Sequence, residues 1–233
     1  MPIGIIINSL SIVLGGLCGA FAGDRLSDNY KDTLNMIFGL SAFGMGITNV
    51  VLMKNMPAVI FSVILGTSLG LLIHLGDNIN RLVISLQDRF SGSSGNINEL
   101  ITVIVLFCAS GTGIYGSLVS GMNGDHSILI AKSILDFFTA MIFACRLGKT
   151  VSFIAVPQFF LFMSLFLLAG LIIPVTTETM INDFKAVGGF IMLASGFRML
   201  KLKEFPTADM IPGMVVAMPI SWLWVTYILP LVS

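Results

Sequence analysis

The sequence predicts an all-α protein, a polytopic transmembrane bundle of about eight helices, and three observations predict it. Only 10% of the 233 residues are Asp, Glu, Lys or Arg, against roughly 25% in a soluble domain. Hydrophobic residues make up 56% and the mean hydropathy is +0.98, more apolar surface than one soluble core of this size can hide. The apolar residues also run in long blocks instead of amphipathic stripes, the pattern of a chain whose solvent is lipid.

A spanning helix needs about 20 apolar residues, at 1.5 Å rise, to cross ~30 Å of hydrocarbon. Read in order, the blocks are 3–22, 33–53, 57–75, 99–120, 127–146, 151–173, 184–200 and 210–231. They are too long for barrel strands, and backbone in lipid has to pair within its own segment, so helices are the only choice. Ile3–Ala22 lacks a basic leader and a cleavage site and reads as a retained first span. The last block carries Pro212, Pro219 and Pro230, which a membrane helix tolerates when neighbours re-satisfy the freed carbonyls.

Residues 78–90 differ. Ile79, Leu82, Val83, Leu86 and Phe90 recur at helical spacing, with Arg81, Asp88 and Arg89 opposite, as in a short amphipathic helix lying on the membrane surface. Ser91–Gly95 follows as a flexible linker. Residues 1–233 thus form a single membrane domain: three spans in 3–75, the surface helix, two central spans in 99–146 and three spans in 151–231.

Basic residues give a direction. With eight spans, one side carries Arg25, Lys31, Arg81, Arg89, Arg146, Lys149, Arg198, Lys201 and Lys203, and the other only Lys54 and Lys185. That bias places both termini away from the cytoplasm. Twelve basic and twelve acidic residues balance to zero, so no nucleic-acid partner is expected.

Shifting the chain by 150 residues superposes loop, span and charge positions together: Gly39 meets Gly189, Gly46 meets Gly196 and Asn8 meets Gln158. Spans 1–3 then match spans 6–8 in reversed orientation, the layout of an inverted repeat, which many secondary transporters build around a midplane site.

The block 127–146 holds the sharpest polar feature. Asp125 or Ser127 can cap its start. Lys132 lies ~10 Å along the helix and Asp136 ~15 Å, near the bilayer midplane. Four residues apart, the two share a face and can pair. A lone charge there costs at least ~2.5–3.5 kcal/mol on insertion scales, so such residues face a bundle interior or a wet cavity; a purely structural ion pair is the other reading. Asn8 and Gln158 stand about seven residues into their spans, and Pro157 before Gln158 can open its helix and free a carbonyl. An interhelical hydrogen bond serves either residue equally well.

Gly111–Gly116 matches the dinucleotide pattern G-x-G-x-x-G, but inside a span and without the strand–helix context that gives the pattern meaning. It reads as close packing or a kink. Gly15, Gly19 and Gly23, and Gly66 and Gly70, have small-xxx-small spacing, which lets helices approach closely within a chain or between copies in a homo-oligomer. Cys18, Cys108 and Cys145 lie far apart, and only His74 and His126 supply imidazoles, so neither a metal centre nor a disulfide is expected. No nucleophile–base set, H-E-x-x-H or carboxylate pair suggests an enzyme, and no cofactor is expected.

Several segments carry a family resemblance: Asn8 followed by Gly15-Gly16-x-x-Gly19, Phe38-Gly39-Leu40, Leu106-Phe107-Cys108 with Gly116-Ser117, Gly124-Asp125 through Lys132 to Asp136, Ala155-x-Pro157-Gln158, and Gly188-Gly189. Nearly end to end, the chain is similar to the YqgA/YdfK family of bacterial inner-membrane proteins, a domain of unknown function (554). It departs from the family at Asp136-Phe137-Phe138 and Arg146. The resemblance implies the cytoplasmic membrane of a bacterium and no particular activity. The functional expectation is a small secondary transporter or permease for a small solute or ion. Its midplane site would be made by Lys132, Asp136, Ser133, Asn8 and Gln158, with Asp125 at the helix start. The competing class is a non-transporting membrane sensor, scaffold or assembly partner.

Overall fold

The structure is a computed structural model, and it describes residues 1–22, 27–79, 81, 85, 103–104, 107–108, 110–172, 174 and 176–232. The helices are α1 (Ile3–Ala22), α2 (Asp28–Val50), α3 (Met56–Leu72), α4 (Gly111–Asn123), α5 (Ser127–Leu147), α6 (Ala155–Ile172), α7 (Glu178–Met199) and α8 (Ile211–Leu223). A 3-10 segment, Gly148–Ile154, leads into α6. A π-helical turn, Trp224–Ile228, and a last turn, Leu229–Val232, prolong α8.

Among the described residues, five stretches are long and apolar enough to cross a membrane: Ile3–Phe21, Asp32–Val50, Ser127–Cys145, Gly148–Leu171 and Ile211–Leu231. The eight expected spans are thus met in five cases. Met56–Leu72 is apolar but shorter, and most of 99–110 lies outside the described residues, as do most of the amphipathic segment 78–90 and the linker 91–95. The expected span 184–200 coincides with α7 to within a residue at its end, but α7 starts six residues earlier because Thr177 caps it, its hydroxyl accepting from the Met180 N–H. Half of α7 is buried, including Asp183, Gly188, Gly189 and Gly196. Its surroundings are protein, which explains a polar sequence that no lipid-facing span could carry.

The chain divides into two compact units, Met1–Leu34 with Ile79–Leu171, and Asn35–Asn78 with Ile172–Ser233. In the first unit α1 lies along α5. Glycines set the distance: a Cβ at Gly15 would collide with the Phe137 carbonyl oxygen, and one at Gly19 with that of Met141. The two helices run parallel, since Gly4 meets Leu129 while Gly19 meets Met141 and Ala144. Side chains of α1 are sorted inside out. Ile6, Leu10, Leu14 and Phe21 are exposed, while Ile5, Asn8 and Ile12 are buried, as the helical period dictates when lipid is outside. Helix α5 follows the same logic, with Leu129, Lys132, Ser133, Asp136 and Ala140 buried and Ile130 and Ile134 exposed. Gly124, in the left-handed region at φ 73°, ends α4. Antiparallel to α5, α4 carries the glycine-rich run 111–116, which packs closely: Gly113 against Phe162 and Lys132, and Gly116 against Ile128 and Leu129.

In the second unit, α2 and α7 run antiparallel through two reciprocal glycine contacts. A Cβ at Gly39 would stand 3.2 Å from the Gly196 oxygen, and one at Gly196 2.9 Å from the Gly39 oxygen. Gly46 and Gly189 repeat the arrangement at 2.9 and 2.7 Å. Helices α3 and α8 also run antiparallel, with Gly66 against Gly213 and Gly70 against the Asp209 carbonyl. The small-xxx-small glycines at 15 and 19 and at 66 and 70 therefore serve packing within the chain.

Candidate functional site

Asp136 is the centre of a polar cluster inside the first unit. Lys132, one turn earlier on α5, donates from Nζ to both carboxylate oxygens, at 2.6 Å to Oδ1 and 2.5 Å to Oδ2. From α1, Asn8 Nδ2 donates to Oδ2 at 2.8 Å. From α6, Gln158 Nε2 reaches the same oxygen at 3.4 Å and the Phe107 carbonyl at 3.2 Å. All four side chains are nearly sealed: Lys132 is 4% exposed, Asp136 6%, and Asn8 and Gln158 0%. A buried ion pair of this kind is tolerable because each carboxylate oxygen finds donors and the charges cancel.

Two phenyl rings flank the ammonium, with centroids 5.8 Å (Phe107) and 5.9 Å (Phe162) from Lys132 Nζ, at the outer reach of a cation–π contact. Gly113 makes the room: a Cβ there would stand 2.9 Å from Lys132 Cε and strike the Phe162 ring. The carboxylate fixes the orientation of both amides. Each must turn its NH2 towards Asp136, since its oxygen would face like charge there, and Gln158 Nε2 also faces a carbonyl. This leaves Asn8 Oδ1 and Gln158 Oε1 buried without a donor among the described residues, an unusual condition that costs about 1–3 kcal/mol per group.

Of the residues singled out in the sequence, Lys132, Asp136, Asn8 and Gln158 come together. Ser133 is buried but turned away, its hydroxyl donating to the Leu129 carbonyl at 2.6 Å. Asp125 stays at the start of α5, where Oδ1 accepts from the Ser127 N–H at 3.0 Å and hydroxyl at 2.6 Å. That is a side-chain turn just ahead of the helix, two helical turns from Lys132. Pro157 sits in the first turn of α6, just past the 3-10 segment, where its missing N–H breaks no α-helical turn; the change from 3-10 to α geometry shortly before Gln158 is the irregularity.

Sequence reasoning misses Gly113, Phe107 and Phe162 as parts of the site. Phe162 stands four residues after Gln158 and so shares its face, which is the signal that could have found it.

A second buried carboxylate lies in the other unit. Asp183 on α7, 1% exposed, accepts from the backbone N–H of Lys54 (2.8 Å) and Asn55 (3.0 Å) at Oδ1. At Oδ2 it accepts from Asn55 Nδ2 (2.9 Å) and the Ser221 hydroxyl (2.6 Å). Four donors from the α2–α3 turn and α8 satisfy it, and the arrangement is a staple rather than an open site.

Known proteins resemble this chain along nearly its whole length. A family model described as "Protein of unknown function (DUF554)" matches residues 3–222. The chain is 44% identical over 233 residues to the uncharacterized protein YqgA of Escherichia coli (strain K12), covering 97% of this chain and 99% of that one. It is 29% identical over 220 residues to the uncharacterized membrane protein YdfK of Bacillus subtilis (strain 168), covering 91% and 93%. No solved structure matches.

Proposed function

The chain belongs to the DUF554 family of proteins of unknown function, and on that premise we propose that it is a small secondary transporter or permease of the bacterial cytoplasmic membrane, built on an inverted repeat. The observation that carries the reading is the meeting of Asn8 and Gln158 on one oxygen of Asp136. The two residues are equivalent under the 150-residue shift. They reach the carboxylate from helices, α1 and α6, that run in opposite directions: α1 is parallel to α5, whereas α6 is parallel to α4 (Gly113 meets Phe162 and Gly121 meets Ala169).

The second unit supports the repeat independently. The shift exchanges the contact Gly39–Gly196 with Gly189–Gly46, and both occur. It exchanges Gly39–Leu200 with Gly189–Val50, and Gly46–Leu193 with Gly196–Phe43, and these occur too. Paired, oppositely directed elements around a polar midplane centre are how transporters obtain two access states of similar energy. The ion pair supplies a group whose partner can change, and the orphaned amide oxygens supply unused acceptors. Under this reading both termini face away from the cytoplasm, in keeping with the basic residues.

The test is access. In a background with Cys18, Cys108 and Cys145 replaced by serine, Asn8→Cys and Gln158→Cys are probed with a membrane-impermeant thiol reagent in right-side-out and inverted vesicles. A transporter exposes its site to each side in turn, so both variants are modified from both sides. Modification from neither side, or from one side only, overturns the proposal. A reporter active only in the cytoplasm, fused after Ser233, stays silent if the direction is right.

A further inference from the structure

The surroundings of Lys132 Nζ are those of a cation-binding site with a tethered occupant. Within reach are a carboxylate at 2.5 and 2.6 Å and two phenyl rings at 5.8 and 5.9 Å. Every one of these stabilises positive charge. Asn8 Oδ1 and Gln158 Oε1 are buried, are oriented by the carboxylate their own NH2 groups face, and have no donor among the described residues. Amide geometry holds each within about 6 Å of Asp136 Oδ2. An ammonium directs its three N–H bonds only within its own reach, and here it leaves these two oxygens unserved. A freely positioned cation is not bound by a lysine's stem and can serve them.

We propose that Asp136, Asn8 Oδ1 and Gln158 Oε1 form the binding site for a small monovalent cation, an alkali ion or a protonated primary amine, and that the Lys132 ammonium is its built-in competitor. The inference rests on the transporter reading for its purpose but not for its geometry. One carboxylate balances one positive charge, which selects a monovalent ion over a divalent one. The neutral amide oxygens suit both an alkali ion and an N–H donor. The lysine keeps the site neutral when no ion is bound, so the bundle never holds a bare carboxylate at depth. Binding then requires Nζ to swing off the carboxylate and carry its charge to solvent, so that the carboxylate always faces one positive charge, and affinity is set by the difference between the two occupants.

The test removes the competitor. Purified full-length protein and Lys132→Met are unfolded thermally in detergent with NaCl, KCl or methylammonium chloride at constant ionic strength, choline chloride being the bulky control. The expected result is a saturable rise in the Lys132→Met midpoint with one of the small cations and none with choline. Half-saturation should lie at least about tenfold below that of the wild type, the change expected when a competing occupant worth ~1.4 kcal/mol is removed. Which salt acts separates an alkali ion from an amine. Adding Asp136→Asn should abolish the shift, and Asn8→Ala or Gln158→Ala should weaken the ion roughly fivefold or more, as loss of one ligand worth about 1 kcal/mol would.

The absence of an ion-specific shift in Lys132→Met, or a shift that survives Asp136→Asn, overturns the proposal. Lys132→Gln gives the same reading if Lys132→Met is not recovered folded. Binding in detergent requires no transport. A cation effect without two-sided thiol access therefore sinks the transporter reading and spares the site, and two-sided access without a cation effect does the reverse.

Discussion

The Lys132–Asp136 pair can be weighed by a double-mutant cycle. Lys132→Met removes the donor of two short hydrogen bonds and leaves a carboxylate, 6% exposed, with the Asn8 and Gln158 amides as its donors among the described residues. Breaking a buried pair from one side costs about 3–5 kcal/mol. Asp136→Asn strands the ammonium against a neutral oxygen and costs a similar amount. In the double variant both charges are gone. The amide oxygen introduced in place of the carboxylate still accepts from Asn8 and Gln158, so about 1–3 kcal/mol is lost, the cost of one or two imperfect hydrogen bonds. The singles then exceed the double by several kcal/mol, and a coupling free energy of at least about 2 kcal/mol is expected, which is large for neighbouring residues. The measurement is reversible unfolding of the four proteins in mixed micelles, with the denaturing detergent as the variable. If the single losses add to the double within about 0.5 kcal/mol, the two residues act independently, and a site built on their pairing is refuted.

Three further outcomes test other parts of the fold. Asp183→Ala should cost about 3–5 kcal/mol because it orphans four donors, whereas Asp183→Asn should cost less than half of that, since Oδ1 still takes the two backbone N–H groups and Asn55 can turn its amide; equal losses in thermal unfolding would show that the staple carries no weight. Gly15→Ala forces a methyl into the Phe137 carbonyl and should destabilise by about 1–3 kcal/mol, while Gly44→Ala, with nothing within 4 Å, should be neutral or slightly stabilising in the same assay. Gly148, at φ 68° and ψ −155°, occupies a backbone region open essentially to glycine alone, whereas Gly124 lies in the ordinary left-handed basin. Since a Cβ at either position meets open space, Gly148→Ala should cost more than Gly124→Ala in chemical unfolding, about 1–3 kcal/mol against about 1 kcal/mol.

Composition and block length are enough to read the helical membrane class, and the bounds of α1 and α5 fall within a residue of the expected ones. Charges at spanning depth are equally legible, because lipid makes each of them conspicuous; Lys132 and Asp136 stand out for that reason. Their neighbours are harder. Asn8 and Gln158 emerge only when the chain is shifted by 150 residues against itself, and Phe107, Phe162 and Gly113 look like any apolar or small residues until tertiary packing brings them around Nζ. Asp125 and Ser133 illustrate the opposite error. Polar residues near a charged pair in sequence can direct their hydrogen bonds to their own helix, as these do. The start of α7 escapes the sequence because Glu178, Asn182 and Asp183 resemble a loop when lipid is assumed on all sides.

That inner helix has a consequence for how the protein is made. The first turns of a nascent α7 offer the bilayer Glu178, Asn182, Asp183 and Lys185, and no transfer energy would favour their entry alone. The groups that answer Asp183 are split in time: Lys54 and Asn55 are synthesised well before it, Ser221 well after. Helix α7 is therefore received by a turn already in place and sealed by α8, which leaves the ribosome later, and a chain truncated before α8 should present Asp183 to quality control with three of its four donors in place.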